Sequence, residues 1–173
     1  MNGGIKMAPS LIIEIIIGIL IAIVVYELIH RSIVQRATRM VRRSAQDDTD
    51  VAVKAAIRRL VNDDVLTEAE SQISSIATVA DVWGRGVMAF EYTLPVGMDA
   101  KHRLRALELA FNDALASFGT DHDLKGINDG PAFVVSDIWV YEGRLHVDVA
   151  YLTNESTVEY LKDLKKLNDP AVR

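Results

Sequence analysis

The chain has no cysteine. That absence removes disulfides, thiolate nucleophiles and cysteine-ligated zinc together, and it fits a reducing compartment or a bacterial envelope equally well. Short patterns that carry common chemistry are also missing: there is no HExxH zinc pair, no nucleotide-binding fingerprint and no serine, histidine and acid set for nucleophilic hydrolysis. No internal repeat or low-complexity tract is present. Charge of one sign is weak too, since 19 Lys and Arg against 24 Asp and Glu give a net −5. No nucleic-acid partner is therefore expected, and no cofactor is indicated.

Apolar sequence is what the chain has in quantity, and one segment near its start supplies much of it. Residues 11–29, "LIIEIIIGILIAIVVYELI", form a run of about 19 residues that at roughly 1.5 Å each nearly matches the roughly 30 Å hydrocarbon core of a bilayer. This predicts a transmembrane helix. A cleaved signal peptide has a shorter apolar region and small residues at its cut, whereas this run passes directly into "YELIHRSIVQRATRMVRR". The segment reads as a retained, single-pass anchor.

Basic residues set the expected orientation. Lys6 alone precedes the span, and Arg31, Arg36, Arg39, Arg42 and Arg43 follow it with no acid before Asp47. The positive-inside rule then leaves residues 1–10 as an extracytoplasmic tail and places the C-terminal domain in the cytoplasm. Residues 30–46 read as a juxtamembrane helix with an apolar stripe of Ile33, Val34, Ala37, Met40 and Val41, its arginines meeting anionic lipid headgroups. Within the span, Glu14 and Glu27 lie about a turn from the predicted edges, where a carboxylate reaches water, and Gly18 with Ala22 forms a small face on which another span can pack.

"SLIIEIIIGILIAIVVYELI" resembles the opening of a type IV pilin, in which a glutamate at the fifth mature position begins a long apolar helix. Glu14 matches that position if the mature chain starts at Ser10, although Pro9 stands where such leaders carry glycine. The resemblance covers about a tenth of the chain and implies a surface subunit.

Beyond the basic segment, "SAQDDTD" at residues 44–50 changes the charge sign and reads as a hinge. Val53, Ile57, Leu60 and Val61 then recur at helical spacing until "NDD" at residues 62–64. Thr67 and Glu70 form a capping box before a second helix through Ala69, Ile73, Ile76 and Ala80, although "IATVADVW" also fits a strand. Residues 47–82 are thus expected as a helical linker, and residues 83–173 as an α+β domain.

In that domain "VMAFEYTL" alternates, with Met88, Phe90, Tyr92 and Leu94 on one face. A helix with Asp99 as its N-cap follows, carrying Leu104, Leu107, Phe111, Leu115 and Phe118 and stopping at Gly119. A hairpin comes next, then a last helix that opens on Ser156 and Glu159 and buries Tyr160, Leu161, Leu164 and Leu167 before Pro170. The order predicts a βαββα core: a three-stranded, largely antiparallel sheet packed against helices. Such modules resemble the ring-building domains of bacterial envelope assemblies, which implies an assembly role.

The hairpin, "SDIWVYEGRLHVDVAY", carries the candidate chemistry. A two-residue turn at Glu142 and Gly143 pairs Val140 with Leu145, Ile138 with Val147, Ser136 with Val149 and Val134 with Tyr151, gathering the aliphatic residues on one face. The other face then holds Trp139 beside His146 and Asp137 beside Asp148, and it is expected to be exposed. Asp137, His146 and Asp148 would be ligands if the face binds a metal ion; with Trp139 and Tyr141 they would instead form a surface for a protein partner or a second copy.

Other motifs carry less. "DHDLKGINDG" at residues 121–130 resembles a calcium loop but has Lys125 at a ligand position and Ala132 where a bidentate glutamate belongs, so it reads as a mobile loop. "WGRG" at residues 83–86 reads as a turn, and His102 as part of a solvated basic face. The function expected is a membrane-anchored, non-enzymatic scaffold or adaptor. Its alternatives are a metal-dependent module or enzyme on the Asp137, His146 and Asp148 face, or a pilin-like subunit.

Overall fold

No proline interrupts the chain between Pro9 and Pro95, and aliphatic and long polar side chains carry the first helix, α1 (Pro9–Asn62). In a computed structural model the chain divides into two units, Met1–Val41 and Arg42–Arg173. The residues described are 9–79, 86–97, 99–127 and 129–168, except for the side chains of 9–12, 32, 34–37 and 168. Residues 1–8 with Lys6, the side chains of Val34, Arg36 and Ala37, Ala80, Trp83 with the turn up to residue 85, and Pro170 lie outside them.

In the first unit, Ile13–Arg31 is long and apolar enough to cross a membrane, and none of it is buried. Ile13, Ile15, Ile16 and Val25 point to different sides of the helix and are all exposed. Ala22 is exposed as well, and a Cβ built on Gly18 would meet nothing within 4 Å. Arg31 lies 3.6 Å from Glu27, one turn earlier.

The second unit begins inside α1. Residues 44–50 are helical, which corrects the expected hinge. Two of their polar side chains are satisfied within the fold: Thr49, fully buried, donates its hydroxyl to the Ala45 carbonyl of the preceding turn at 2.6 Å, and Asp50 accepts from the buried Tyr92 hydroxyl at 2.7 Å. Ala52, Val53, Ala56, Ile57 and Leu60 then enter the core. The helix ends at Asn62, and Asp64 takes the left-handed conformation.

The Thr67 and Glu70 capping box exists, but it closes a single 3-10 turn, Glu68–Ser71, and not the start of a longer helix. Strand β1 (Ser75–Thr78) follows and pairs antiparallel with β2 (Ala89–Pro95). The sheet therefore has four strands, not three, in the order β1-β2-β4-β3, where β3 is Phe133–Tyr141 and β4 is Arg144–Tyr151. Tertiary pairing overrides the helical spacing of Ile73 and Ile76, because Ser74 and Val79 donate their amides to Thr93 and Ala89 of β2.

Helix α2 (Ala100–Asp121) runs two residues past Gly119, with Leu107, Phe111, Leu115 and Phe118 buried. Asp99 is its N-cap residue but makes no capping bond; its carboxylate faces Arg103 at 3.3 Å. Helix α3 (Glu155–Asn168) is capped two residues earlier than expected, by Asn154, whose side-chain oxygen accepts the Thr157 amide at 2.8 Å. Tyr160 and Leu161 are buried there, whereas Leu167 is exposed, contrary to its expected burial.

Each sheet face has its own cover. Phe90, Tyr92, Leu94, Leu145, Val147 and Val149 form the main core with α1 and α2. On the reverse face Ala89, Ala150, Val87 and Tyr160 make a second, smaller cluster with Leu164 of α3. The loop after α2 is tied down, since the Gly126 amide donates to Gly130 and the Ile127 amide to Leu152. A Cβ at Gly126 would come within 2.8 Å of the Pro131 carbonyl, which explains glycine there.

Candidate functional site

Hairpin geometry fixes the reverse face. Glu142 and Gly143 both have positive φ, 49° and 72°, as a two-residue primed turn requires. From that turn the register runs as the apolar pattern predicts: Val140 opposite Leu145, Trp139 opposite His146, Ile138 opposite Val147 and Asp137 opposite Asp148. It then shifts between Val135 and Asp137, so that Val135 meets Val149 and Phe133 meets Tyr151. This corrects the expected partners of Ser136 and Val134. The extra residue, Ser136, forms a bulge and donates to the Asp148 carbonyl at 3.2 Å, which lets Phe133 and Val135 turn into the core.

Strand order adds what the hairpin alone cannot show. β4 also pairs with β2, where Glu91 lies opposite Asp148 and Thr93 opposite His146. Glu91, Asp148 and Asp137 thus form a transverse row of three carboxylates across three strands. Asp148, in the middle, is 6% exposed, and its Oδ1 has no hydrogen-bond partner. The expected exposed position of this aspartate is thereby corrected: α3 and the neighbouring strands cover it. Burial, with the Glu91 and Asp137 charges on either side, pushes its carboxyl up to about 7.

The flanking groups are otherwise engaged. Asp137 is exposed, and its Oδ1 accepts the Ile138 amide at 2.9 Å. Val135 donates its amide to Asn112 of α2 at 2.9 Å. Two amides of this edge strand are therefore capped by side chains, which blunts β3 as a template for another strand. His146 Nδ1 lies 2.6 Å from Glu91 Oε1, and its ring stacks on Trp139 with centroids 4.9 Å apart and planes 10° from parallel. Tyr141, 61% exposed, tilts against the same imidazole. The result is an aromatic strip at one end of the face and a half-covered acidic row at the other.

Among the described residues, no group of three or more His, Asp or Glu side chains is placed to hold a metal ion. Register brings Asp137, His146 and Asp148 onto one face, but the Asp137 carboxylate is bonded to a backbone amide and His146 to Glu91. Glu91 and Tyr160 are the members that sequence reasoning missed. Alternation already put Glu91 opposite Phe90 and Tyr92, yet nothing local shows that β2 and β4 are neighbours. The Tyr160 hydroxyl meets the Ser136 side chain; burial raises its pKa, with the Asp148 and Asp137 charges adding to it.

Of the basic residues after the apolar run, Arg39 and Arg43 are exposed and Arg42 is half-buried. His102, exposed near the start of α2, donates its amide to the Asp99 carbonyl. A groove of about 460 Å³ beside the end of α1 is lined by Lys54, Ile57, Arg58 and Ile73. No family model, curated protein or solved structure matches the chain.

Proposed function

We propose that the chain is a membrane-anchored docking protein without catalytic chemistry of its own. One observation carries the anchor: Ile13–Arg31 displays apolar side chains on all sides and buries none of them. Such a surface is stable only in an apolar solvent or against partner helices. In this reading the helix is a single span, the N-terminus is outside, and Arg31, Arg36, Arg39, Arg42 and Arg43 lie along anionic headgroups. The unit Arg42–Arg173 is then cytoplasmic and binds a protein partner or a second copy of itself.

Trp139, Tyr141 and His146 are the docking strip. They are rigid, amphipathic rings, Trp139 stacked on His146 and Tyr141 tilted against it, and all are partly exposed, which is the composition that anchors protein interfaces. Asp137 lies at its rim; Asp148 is too deeply buried to touch a partner and is not part of it.

Carbonate extraction tests the anchor: the full chain should stay in the membrane pellet, and its release would overturn this reading. Protease added to intact cells should leave a C-terminal tag untouched, and cleavage of the tag would reverse the orientation. For the strip, a photo-crosslinking residue at Tyr141 should give a discrete adduct in native membranes. The same group at Leu109, exposed on α2, should give none. Equal labelling at both positions sinks the assignment.

A further inference from the structure

We propose that Asp148 is a proton-binding site through which pH controls the seating of α3 on the sheet. The inference is independent of the docking reading and rests on the transverse row described above.

Like charges directly opposed across strands repel, and Asp148 is opposed on both sides, by Glu91 from β2 and by Asp137 from β3. It is also the buried member, with an orphaned Oδ1. In the carboxylate, Oδ1 has lost water without gaining a donor, whereas a carboxylic acid brings its own hydrogen and can share it with a flanking carboxylate. The other groups around it do not replace that proton. His146, on the same strand, is joined to Glu91 at 2.6 Å. From α3 come the Tyr160 hydroxyl, which meets Ser136, and Lys165, which lines a groove of about 320 Å³ with Asp137 and, from α2, Glu108.

The element above the row is held lightly. Among the described residues of α3, Tyr160 and Leu161 are its buried large apolar side chains and Val158 and Leu164 are half-buried; the cluster that Tyr160 joins is small, with Val87, Ala89 and Ala150 as its other buried members. Hydrogen bonds add to them: beside the contact of the Tyr160 hydroxyl with Ser136, the Met88 amide donates to the Thr157 hydroxyl oxygen at 2.9 Å, and the Asn154 side-chain amide donates to the Gly86 carbonyl at 2.9 Å. An element with so few contacts opens before the main core does.

The sign follows from the raised carboxyl. The folded protein holds the proton more tightly than the unfolded chain, so this contribution to stability is complete below the ordinary aspartate range. It declines as pH rises towards about 7 and is absent above that. Ionisation then leaves three adjacent anions beneath Tyr160, and α3 loosens.

Two measurements on the full chain in detergent micelles, run with chelator and repeated without it in added calcium or magnesium, test this. Hydrogen exchange of the amides of α3, corrected for the intrinsic pH dependence of exchange, should quicken about tenfold or more between pH 5.5 and 8, while those of α2 stay protected. Asp148→Asn should keep α3 protected at both pH values. A pH response that survives in Asp148→Asn overturns the proposal, as does protection that follows added calcium or magnesium instead of pH. Should the variant not fold, carboxyl carbon NMR of the wild type decides: an Asp148 midpoint near neutrality supports the proton site, and one near 4 eliminates it.

Discussion

On the sheet face that meets α1 and α2, Phe90, Tyr92, Leu94, Leu145, Val147 and Val149 have no exposed surface, whereas on the reverse face the same two strands bring Glu91, His146 and Asp148 together. The first face encloses one polar group from the sheet with a charged partner, Tyr92 with Asp50. Polar groups on the second are crowded, stacked or orphaned. Burial on the first face is therefore stabilising throughout, while on the second it works against ionised side chains. A strand can serve both purposes because its side chains alternate, so a stable core and a responsive surface lie one residue apart.

The largest expected effect breaks the first face. Phe111→Ala leaves a hole in a fully buried site and should lower stability by about 3–5 kcal/mol in urea unfolding. Leu164→Ala, under the reverse face, removes a half-buried side chain and should cost less than about 2 kcal/mol. Equal losses would mean that the two covers are equally important, contrary to their sizes. Next comes Tyr92→Phe, which keeps the ring but leaves Asp50 without its donor. A loss of about 1–2 kcal/mol is expected, because Asp50 is only half-buried and can turn to water.

Carboxylates sharpen the same contrast through pH. Glu70 is buried on the main-core side, which raises its pKa, but the Thr67 and Gly97 amides, the Thr67 hydroxyl and the Arg103 charge outweigh burial and hold it low. Its contribution is thus present above the ordinary glutamate range and lost as pH falls through the depressed value, opposite in direction to Asp148. Glu70→Gln should cost about 1 kcal/mol at pH 7 and remove part of the acid-side loss in thermal melts. An unchanged acid limb would show that the network around Glu70 contributes nothing to stability.

Where local pattern coincides with burial, the fold was legible. The stripe from Leu107 to Phe118, the alternation from Met88 to Leu94 and the turn at Glu142 all follow from spacing and turn chemistry, and so does the pairing of Asp137 with Asp148. What failed was long-range or used polar residues unconventionally. "SAQDDTD" looked like a hinge because Thr49 and Asp50 are polar, yet both are satisfied inside the structure. Thr67 and Glu70 looked like the start of a helix, yet Glu70 also accepts from Gly97 and Arg103, and the chain continues into a strand. The burial of Asp148 depends on β2 and α3, which no feature of the hairpin reveals.

The smallest stability effect belongs to the aromatic strip and separates packing from docking. Trp139 lies partly exposed on an imidazole, so Trp139→Ala removes a stacked pair and little enclosed area, and the loss should be about 1 kcal/mol or less. If the strip is an interface, the same variant should abolish the adduct formed by a photo-crosslinking residue at Tyr141 while its urea midpoint barely moves. If Trp139 serves instead as a lid over His146, the midpoint should fall and the adduct should persist. The two outcomes move different observables, so a single variant distinguishes a reverse face built for a partner from one that completes its own fold.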